Sequence, residues 1–287
     1  MKNAFSKTIT GSSQVVFILG KSLSHSLSPL MQNAAFQHLK LPWVYLPFEV
    51  PEGELKDALG VMKGSNVRGA NVTVPYKEKV LPFLDQVETE AEWLGSVNTL
   101  YKKGSKLCGV STDGEGFLRS LGEKRRKLKG SQGLLLGAGG AAKAVAGALV
   151  KSGVRKIYVA NRSSSRVIGL VKSIRKKRPR LELALVSLRE AEKYVSRCDW
   201  VIQATSLGLK KEDPSPLSLE RARPGTLAIE LIYHRETAFL REAQKRRLLP
   251  LGGWGMLLHQ GALSFEYWTG KKAPLKVMRK TLLRHLP

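Results

Sequence analysis

Cysteine, carboxylate and long apolar runs are all scarce in this sequence. Two cysteines, Cys108 and Cys198, occur in 287 residues. They lie too far apart for a metal-ligand spacing and are too few for a disulfide framework. That excludes a small disulfide-stapled secreted fold and a cysteine metal site, and reduced thiols in a cytoplasm are expected. The longest nearly apolar stretch, Leu134 to Val150, is broken by Lys143 and four glycines. It falls short of the ~20 apolar residues of a membrane span. The first fourteen residues, MKNAFSKTITGSSQ, lack the apolar core of a signal peptide. Only 23 Asp and Glu oppose 48 Lys and Arg, a formal charge of +25.

Such a charge favours anionic partners in general. The densest runs are Lys124-Arg125-Arg126-Lys127 with Lys129, and Arg175-Lys176-Lys177-Arg178 with Arg180. Neither carries interleaved aromatics on which bases stack. A solvated basic surface is therefore expected, and a nucleic-acid partner is not. Apolar residues make up 43%, enough for ordinary globular cores, and the length fits about two domains of roughly 100–200 residues.

Organisation follows from periodicity. Val15–Gly20, Val44–Val50 and Val67–Val74 read as strands, with helices at Pro29–Leu39 and Glu52–Met62 between them. Val80–Leu84 and Thr89–Leu94 read as helical, and a hairpin is expected around Lys103-Gly104. A second unit begins near Asp113. It has strands at Gly133–Leu136, Lys156–Ala160, Leu181–Val186, Trp200–Gln203 and Thr226–Glu230. Helices are expected at Ala141–Ser152, Arg166–Lys176 and Glu236–Arg246, and the stretch Gly255–Leu286 reads as helical. Strand and helix alternate throughout, the pattern of an α/β fold, with no repeat of fixed period.

The segment Gly137-Ala138-Gly139-Gly140-Ala141-Ala142 fits G-x-G-x-x-(G/A) after a strand and before a helix, which is the required context for dinucleotide binding. The first glycine makes the turn, the second lets backbone approach a pyrophosphate, and the last small residue lets helix and strand pack. The next strand ends in Ala160-Asn161-Arg162-Ser163-Ser164-Ser165-Arg166. It has no carboxylate for a ribose 2′-hydroxyl, and two arginines with serines suit a 2′-phosphate. The cofactor is read as NADP.

Other polar residues are open by residue type alone. Ser26 and Ser28 either hold a carboxylate or cap the following helix. Asn71 and Thr73 alternate with apolar residues and share one strand face. Lys77 follows, and a lysine in so basic a chain is ordinarily surface. Asn98 and Asp113 stand at strand ends, where α/β proteins place ligand sites.

Together these segments resemble the shikimate dehydrogenase family along nearly the whole chain. The resemblance rests on GKSLSHSLSPLMQN (Gly20–Asn33), GANVTVPYKE (Gly69–Glu78), Gly95-Ser96-Val97-Asn98-Thr99, Thr112-Asp113-Gly114-Glu115-Gly116, the glycine turn with its Asn161-Arg162-Ser163, and Gly255–Gln260 continuing to Trp268-Thr269-Gly270. It implies a two-domain α/β fold: an N-terminal substrate domain (1–112 plus 258–287), a Rossmann NADP domain (113–257), and C-terminal helices returning to the first. The implied reaction is NADPH-dependent reduction of 3-dehydroshikimate to shikimate in chorismate and aromatic amino acid biosynthesis.

Roles carry over by position. Lys77 and Asp113 match the catalytic pair. Ser26, Ser28, Thr73, Asn98, Gln260 and Tyr233 match substrate contacts. Gly137, Gly139, Gly140 and Ala141 match the pyrophosphate turn, and Asn161, Arg162, Ser163 and Arg166 the 2′-phosphate pocket. Gly253 matches a position beside the nicotinamide. No metal is implied, and the expected assembly is a monomer or homodimer. Four positions depart from the usual family residue: Ser22 for Pro, Ser111 for Asn, Gln203 for Asn and Glu230 for Asp. A sister dehydrogenase acting on quinate or aminoshikimate, a non-catalytic NADP-binding regulator and a nucleic-acid-binding protein driven by charge are the rival readings.

Overall fold

The computed structural model describes residues 9–286; of the leader reading above, residues 1–8 lie outside the described residues. The strands are β1 (Gln14–Gly20), β2 (Trp43–Glu49), β3 (Val67–Val72), β4 (Gln86–Val87), β5 (Thr99–Lys103), β6 (Lys106–Val110), β7 (Gln132–Leu136), β8 (Lys156–Ala160), β9 (Glu182–Val186), β10 (Trp200–Gln203), β11 (Leu227–Glu230) and β12 (Leu249–Leu251). The helices are α1 (Ser28–His38), α2 (Leu55–Gly60), α3 (Thr89–Leu94), α4 (Asp113–Ser120), α5 (Gly140–Lys151), α6 (Ser164–Lys177), α7 (Leu188–Val195), α8 (Ala238–Lys245), α9 (Trp254–Thr269) and α10 (Leu275–Leu283).

Two six-stranded sheets result. The first runs β2-β1-β3-β5-β6-β4 and mixes parallel with antiparallel pairs. The second runs β12-β11-β10-β7-β8-β9, with every pair parallel. Its strand order reverses between β7 and β10, so the crevice beyond their carboxyl ends is the switch point where such sheets bind ligands. Strands buried on both faces read as near-continuous apolar runs; Leu134, Leu135 and Leu136 of β7 are all fully buried.

The last helices close the first unit. Leu258, Phe265, Met278 and Leu282 share one core with Val16, Met31 and Phe36. Helix α4 packs between α9 and α5. At Gly116 an added Cβ would lie 2.6 Å from the Gln260 amide nitrogen, so only glycine admits α9 this closely.

Several expectations need correction. The stretch 255–286 is two helices, because Gly270 takes φ 66° and residues 271–274 turn the chain before α10. A left-handed glycine after the last turn is a common helix stop. Val80–Leu84 forms only a short 3-10 turn over Leu81–Phe83, with Pro82 near its start. Helices α4 and α7 were not anticipated. Helix α7 (LREAEKYV) is polar, yet Ser187 accepts from the Glu190 amide and donates to its carboxylate at 2.8 Å, a capping box readable as S-x-x-E.

Candidate active site

Asp113 opens α4 and is 3% exposed. A carboxylate in the first helical turn is favoured by the unpaired amides there. Its Oδ2 accepts from the Lys77 ammonium, and its Oδ1 accepts from Asn98 Nδ2 at 2.9 Å. Lys77 lies in the turn after β3, reached through a cis Val74–Pro75 peptide, and its carbonyl accepts from the Val97 amide. The Lys77 side chain is 13% exposed. It is therefore a held cation, not a solvated surface lysine. An ammonium has three donors, and the remainder can face a ligand oxygen.

Asn98 is the hub. Its amide nitrogen, with two N–H groups, is also within hydrogen-bond distance of Thr112 Oγ1 (2.9 Å) and Gln260 Oε1 (3.1 Å), so three acceptors share two donors, while its oxygen accepts from the Thr112 amide (2.8 Å). Gln260 Nε2 donates to Leu257 O, which fixes the amide's orientation. One turn on, Ser264 joins the Thr99 hydroxyl at 2.7 Å and accepts from Asn71 Nδ2 at 3.0 Å. Asn71 Oδ1 accepts from the Tyr45 hydroxyl at 2.7 Å. Burial pushes the Tyr45 phenol well above its ordinary pKa, while a hydrogen bond with Ser28 opposes the shift. The hydrogen-bonded network thus runs from Tyr45 to Lys77. A buried network of this kind rigidifies what it holds.

Ser26 accepts from the Ser28 amide at 3.3 Å, and the residue before α1 is Leu27, with no side-chain cap. Burial raises the Tyr233 phenol, against hydrogen bonds to Ser26 and the Leu27 backbone. The rings of His25 and His234 lie 4.8 Å apart. The loop after β11 thereby meets the loop before α1 across the two units. Thr73 stands at the end of β3 beside Gly20, where an added Cβ would come within 2.6 Å of its methyl.

The three glycines of the turn after β7 have three different reasons. Gly137 takes φ 116°, and a Cβ there would lie 2.6 Å from Ala204 O. A Cβ on Gly140 would lie 2.9 Å from both Lys77 Cβ and Ser96 Oγ. One on Gly139 would meet nothing within 4 Å. Nothing in the chain requires glycine at 139, and the bare backbone leaves open room above the start of α5, where unpaired amides favour an anion. Ala142 is fully buried against the sheet.

Beyond β8, Asn161 Nδ2 donates to Ser163 O, and Ser163 and Ser165 hydroxyls are 3.0 Å apart. Arg162 and Arg166 are exposed at the start of α6, and no ion pair among the described residues uses either guanidinium. Cations are disfavoured at a helix N-terminus unless an anion sits between. These residues fit a 2′-phosphate, and the open turn fits the pyrophosphate.

Two departures from the family residue are accommodated. Gln203 accepts from the Thr205 amide at 2.8 Å and donates to Leu207 O at 2.7 Å, pinning the loop after β10. Glu230 is fully buried; it accepts from the Ile232 amide and the Thr237 hydroxyl, both at 3.0 Å. Burial outweighs these bonds and raises its pKa to about 7. Gly253 is held by the same loop: a Cβ there would lie 2.1 Å from Leu231 O.

Direct hydrogen bonds join Lys77, Asp113, Asn98 and Gln260, and Gly140 packs on Lys77. Residue-type reasoning left out Tyr45, Thr99, Thr112 and Ser264. Thr99 and Thr112 adjoin Asn98 and Asp113 within their motifs and Ser264 lies one helical turn after Gln260, whereas Tyr45 carried no local signal. Among the described residues no group of His, Cys, Asp and Glu is gathered as for a metal ion, and no helix is long and apolar enough to cross a membrane.

Comparison with known proteins gives consistent matches. The family model "Shikimate dehydrogenase substrate binding domain" matches residues 18–100, "Shikimate / quinate 5-dehydrogenase" matches 120–210, and "Shikimate 5'-dehydrogenase C-terminal domain" matches 253–283. The shikimate dehydrogenase (NADP(+)) of Desulforamulus reducens is 42% identical, over 96% of this chain and 96% of that protein. The crystal structure of shikimate dehydrogenase from Aquifex aeolicus superposes with a TM-score of 0.87 at 36% identity, over 96% and 99% of the two chains. The Thermus thermophilus enzyme, solved with NADP(H) and shikimate, superposes with a TM-score of 0.82 at 36% identity, over 95% and 100%.

Proposed function

The chain belongs to the shikimate dehydrogenase family, and we propose that it catalyses the reversible NADPH-dependent reduction of 3-dehydroshikimate to shikimate, a step of aromatic biosynthesis. The observation that carries this reading is the contact between the Lys77–Asp113 pair and the dinucleotide turn at Gly140. It sets a proton donor against the turn whose backbone would hold the cofactor's pyrophosphate. The two proposed units are 1–112 with 258–287 for substrate and 113–257 for NADP. The two free cysteines are buried, and burial pushes the Cys198 thiol up to about 12. These inert thiols support a cytoplasmic setting.

When bound, NADPH supplies a hydride to the substrate carbonyl carbon. Negative charge then grows on the carbonyl oxygen. Lys77 donates a proton to that oxygen and stabilises its charge. In the reverse direction, neutral Lys77 takes the hydroxyl proton. Asp113, held by Asn98, orients the amine. Ser26, Ser28 and Tyr233 suit the carboxylate of the substrate, and Thr73, Asn98 and Gln260 its ring hydroxyls. Such groups act by orientation, and a site built to bond particular hydroxyls rejects analogues lacking them.

The test is nicotinamide absorbance with shikimate or quinate, each with NADP or NAD. Fast turnover confined to shikimate with NADP supports the whole reading. Turnover mainly with quinate moves the protein to the sister activity, and preference for NAD overturns the 2′-phosphate assignment. Arg162→Ala is expected to weaken NADP at least ~10-fold while leaving NAD nearly unchanged.

A further inference from the structure

Basic residues that are scattered along the chain are gathered by the second sheet onto one edge. All six of its strands run parallel, so all six begin at the edge opposite the glycine turn. Each is preceded by exposed Lys or Arg. Lys245 and Arg247 stand before β12, Arg221 and Arg223 before β11, and Arg197 before β10. Lys127 and Lys129 stand before β7, Arg155 before β8, and Arg178 and Arg180 before β9.

These segments touch one another. Arg223 Nη2 reaches Arg197 O and Asp199, Gln132 Nε2 donates to the same Arg197 carbonyl, and the Arg155 amide donates to Ser131 O. Strand spacing of about 4.8 Å makes the row about 24 Å long.

Few of these charges are neutralised internally. Among the described residues Arg223 pairs with Asp199, and Arg155 with Glu182. No ion pair there involves Lys129, Arg178, Arg180, Arg197, Arg221 or Arg247. A cation after a helix C-terminus complements the dipole for one turn. That effect explains one or two charges per helix, not a continuous row. None of the large apolar side chains exposed on the described surface lies in these segments. A protein partner would need such anchors at the centre of its interface.

We propose that this edge binds the phosphodiester backbone of a nucleic acid by charge alone, without reading bases. A duplex carries one charge per ~1.7 Å of axis, and a row of this length meets several of them. The absence of exposed aromatics beside the row fits backbone contact and argues against base stacking. The edge faces away from the NADP turn, so binding there leaves the cleft open. The proposal does not depend on the dehydrogenase reading.

The test is fluorescence anisotropy of the intact chain with a labelled DNA duplex of about 30 base pairs, between about 50 and 200 mM salt. Four or more phosphate contacts make affinity fall roughly 10²-fold over that range, independent of sequence. The triple variant Lys129→Glu, Arg178→Glu, Arg180→Glu is expected to lose at least ~10-fold and to show a shallower salt slope. A control of equal charge change on α10, Lys276→Glu, Lys280→Glu, Arg284→Glu, is expected to lose under ~3-fold. Thermal transitions of both variants check folding. Absence of binding at low salt, equal losses in the two variants, or equal competition by polyglutamate at matched charge would each overturn the proposal.

Discussion

Lys77 and Asp113 are chemically ordinary residues made unusual by their surroundings. The ammonium pairs with a buried carboxylate while the aliphatic stem packs on the glycine turn, and in the proposed reaction its removal takes away both the proton and the charge that meets the developing oxyanion. Lys77→Ala is expected to lower kcat ~10²-fold or more with a smaller change in KM. Near wild-type turnover would remove Lys77 from the chemistry. Glu230 makes a separate, titratable contribution. Its folded pKa of about 7 lies above the ordinary 4.5. The protonated form is therefore favoured by folding. That stability is fully present below about pH 4.5 and is lost as pH rises through about 7. Relative to wild type, Glu230→Gln should gain about 2 kcal/mol between pH 5 and pH 8. Parallel denaturation profiles of the two proteins would show that Glu230 does not titrate in this range.

At the scale of elements, the turn into α5 separates folding from binding within three residues. Gly137 is required by its φ of 116° and by the nearness of Ala204 O, whereas Gly139 has open room around it. Gly137→Ala is expected to destabilise the protein by about 2 kcal/mol or more. Gly139→Ala should leave stability within about 1 kcal/mol of wild type and weaken the dinucleotide at least ~10-fold. Paired melting curves and cofactor titrations distinguish the two. Equal loss of stability would show that both glycines serve the fold. The element types were legible where periodicity was strong, as in β7, α5 and β8. They were missed where a helix is short and polar, as α7, or starts at a polar ligand-site residue, as α4. There the apolar face is only a few residues long, Ala191 and Val195 in α7 and Phe117 and Leu118 in α4, too short to stand out as a period, and tertiary packing of that face supplies the stabilisation.

At the scale of the whole molecule, the two sheet units are bridged by an ion pair between Lys143 of α5 and Glu78, 2.6 Å apart. The pair is half-exposed, so its worth is at most about 1 kcal/mol. Because the pair ties the turn after β3 to α5, Lys143→Gln should raise KM for substrate and cofactor by one shared factor of about five or less. The melting temperature and kcat should be nearly unchanged. An effect on the cofactor alone would mean that Lys143 touches the dinucleotide instead. Of the candidate site, the Lys77–Asp113 pair and the glycine turn were legible as motifs. The Tyr45–Asn71–Ser264 arm was not, because Ser264 lies 193 residues from the Asn71 to which it bonds.

The family, the cofactor class and most strand and helix positions can be read from the residues alone. Those properties depend on residue type at short spacing: a glycine turn after an apolar strand, arginines after the next, a lysine after a proline turn. Only the tertiary structure decided that Lys77 is buried against Asp113 and Gly140, that Asn98 organises the site, and that dispersed basic residues form one row. The reason is topological. Strand order and helix crossing bring together residues from tens to more than a hundred positions apart, and local periodicity carries no information about which of them meet.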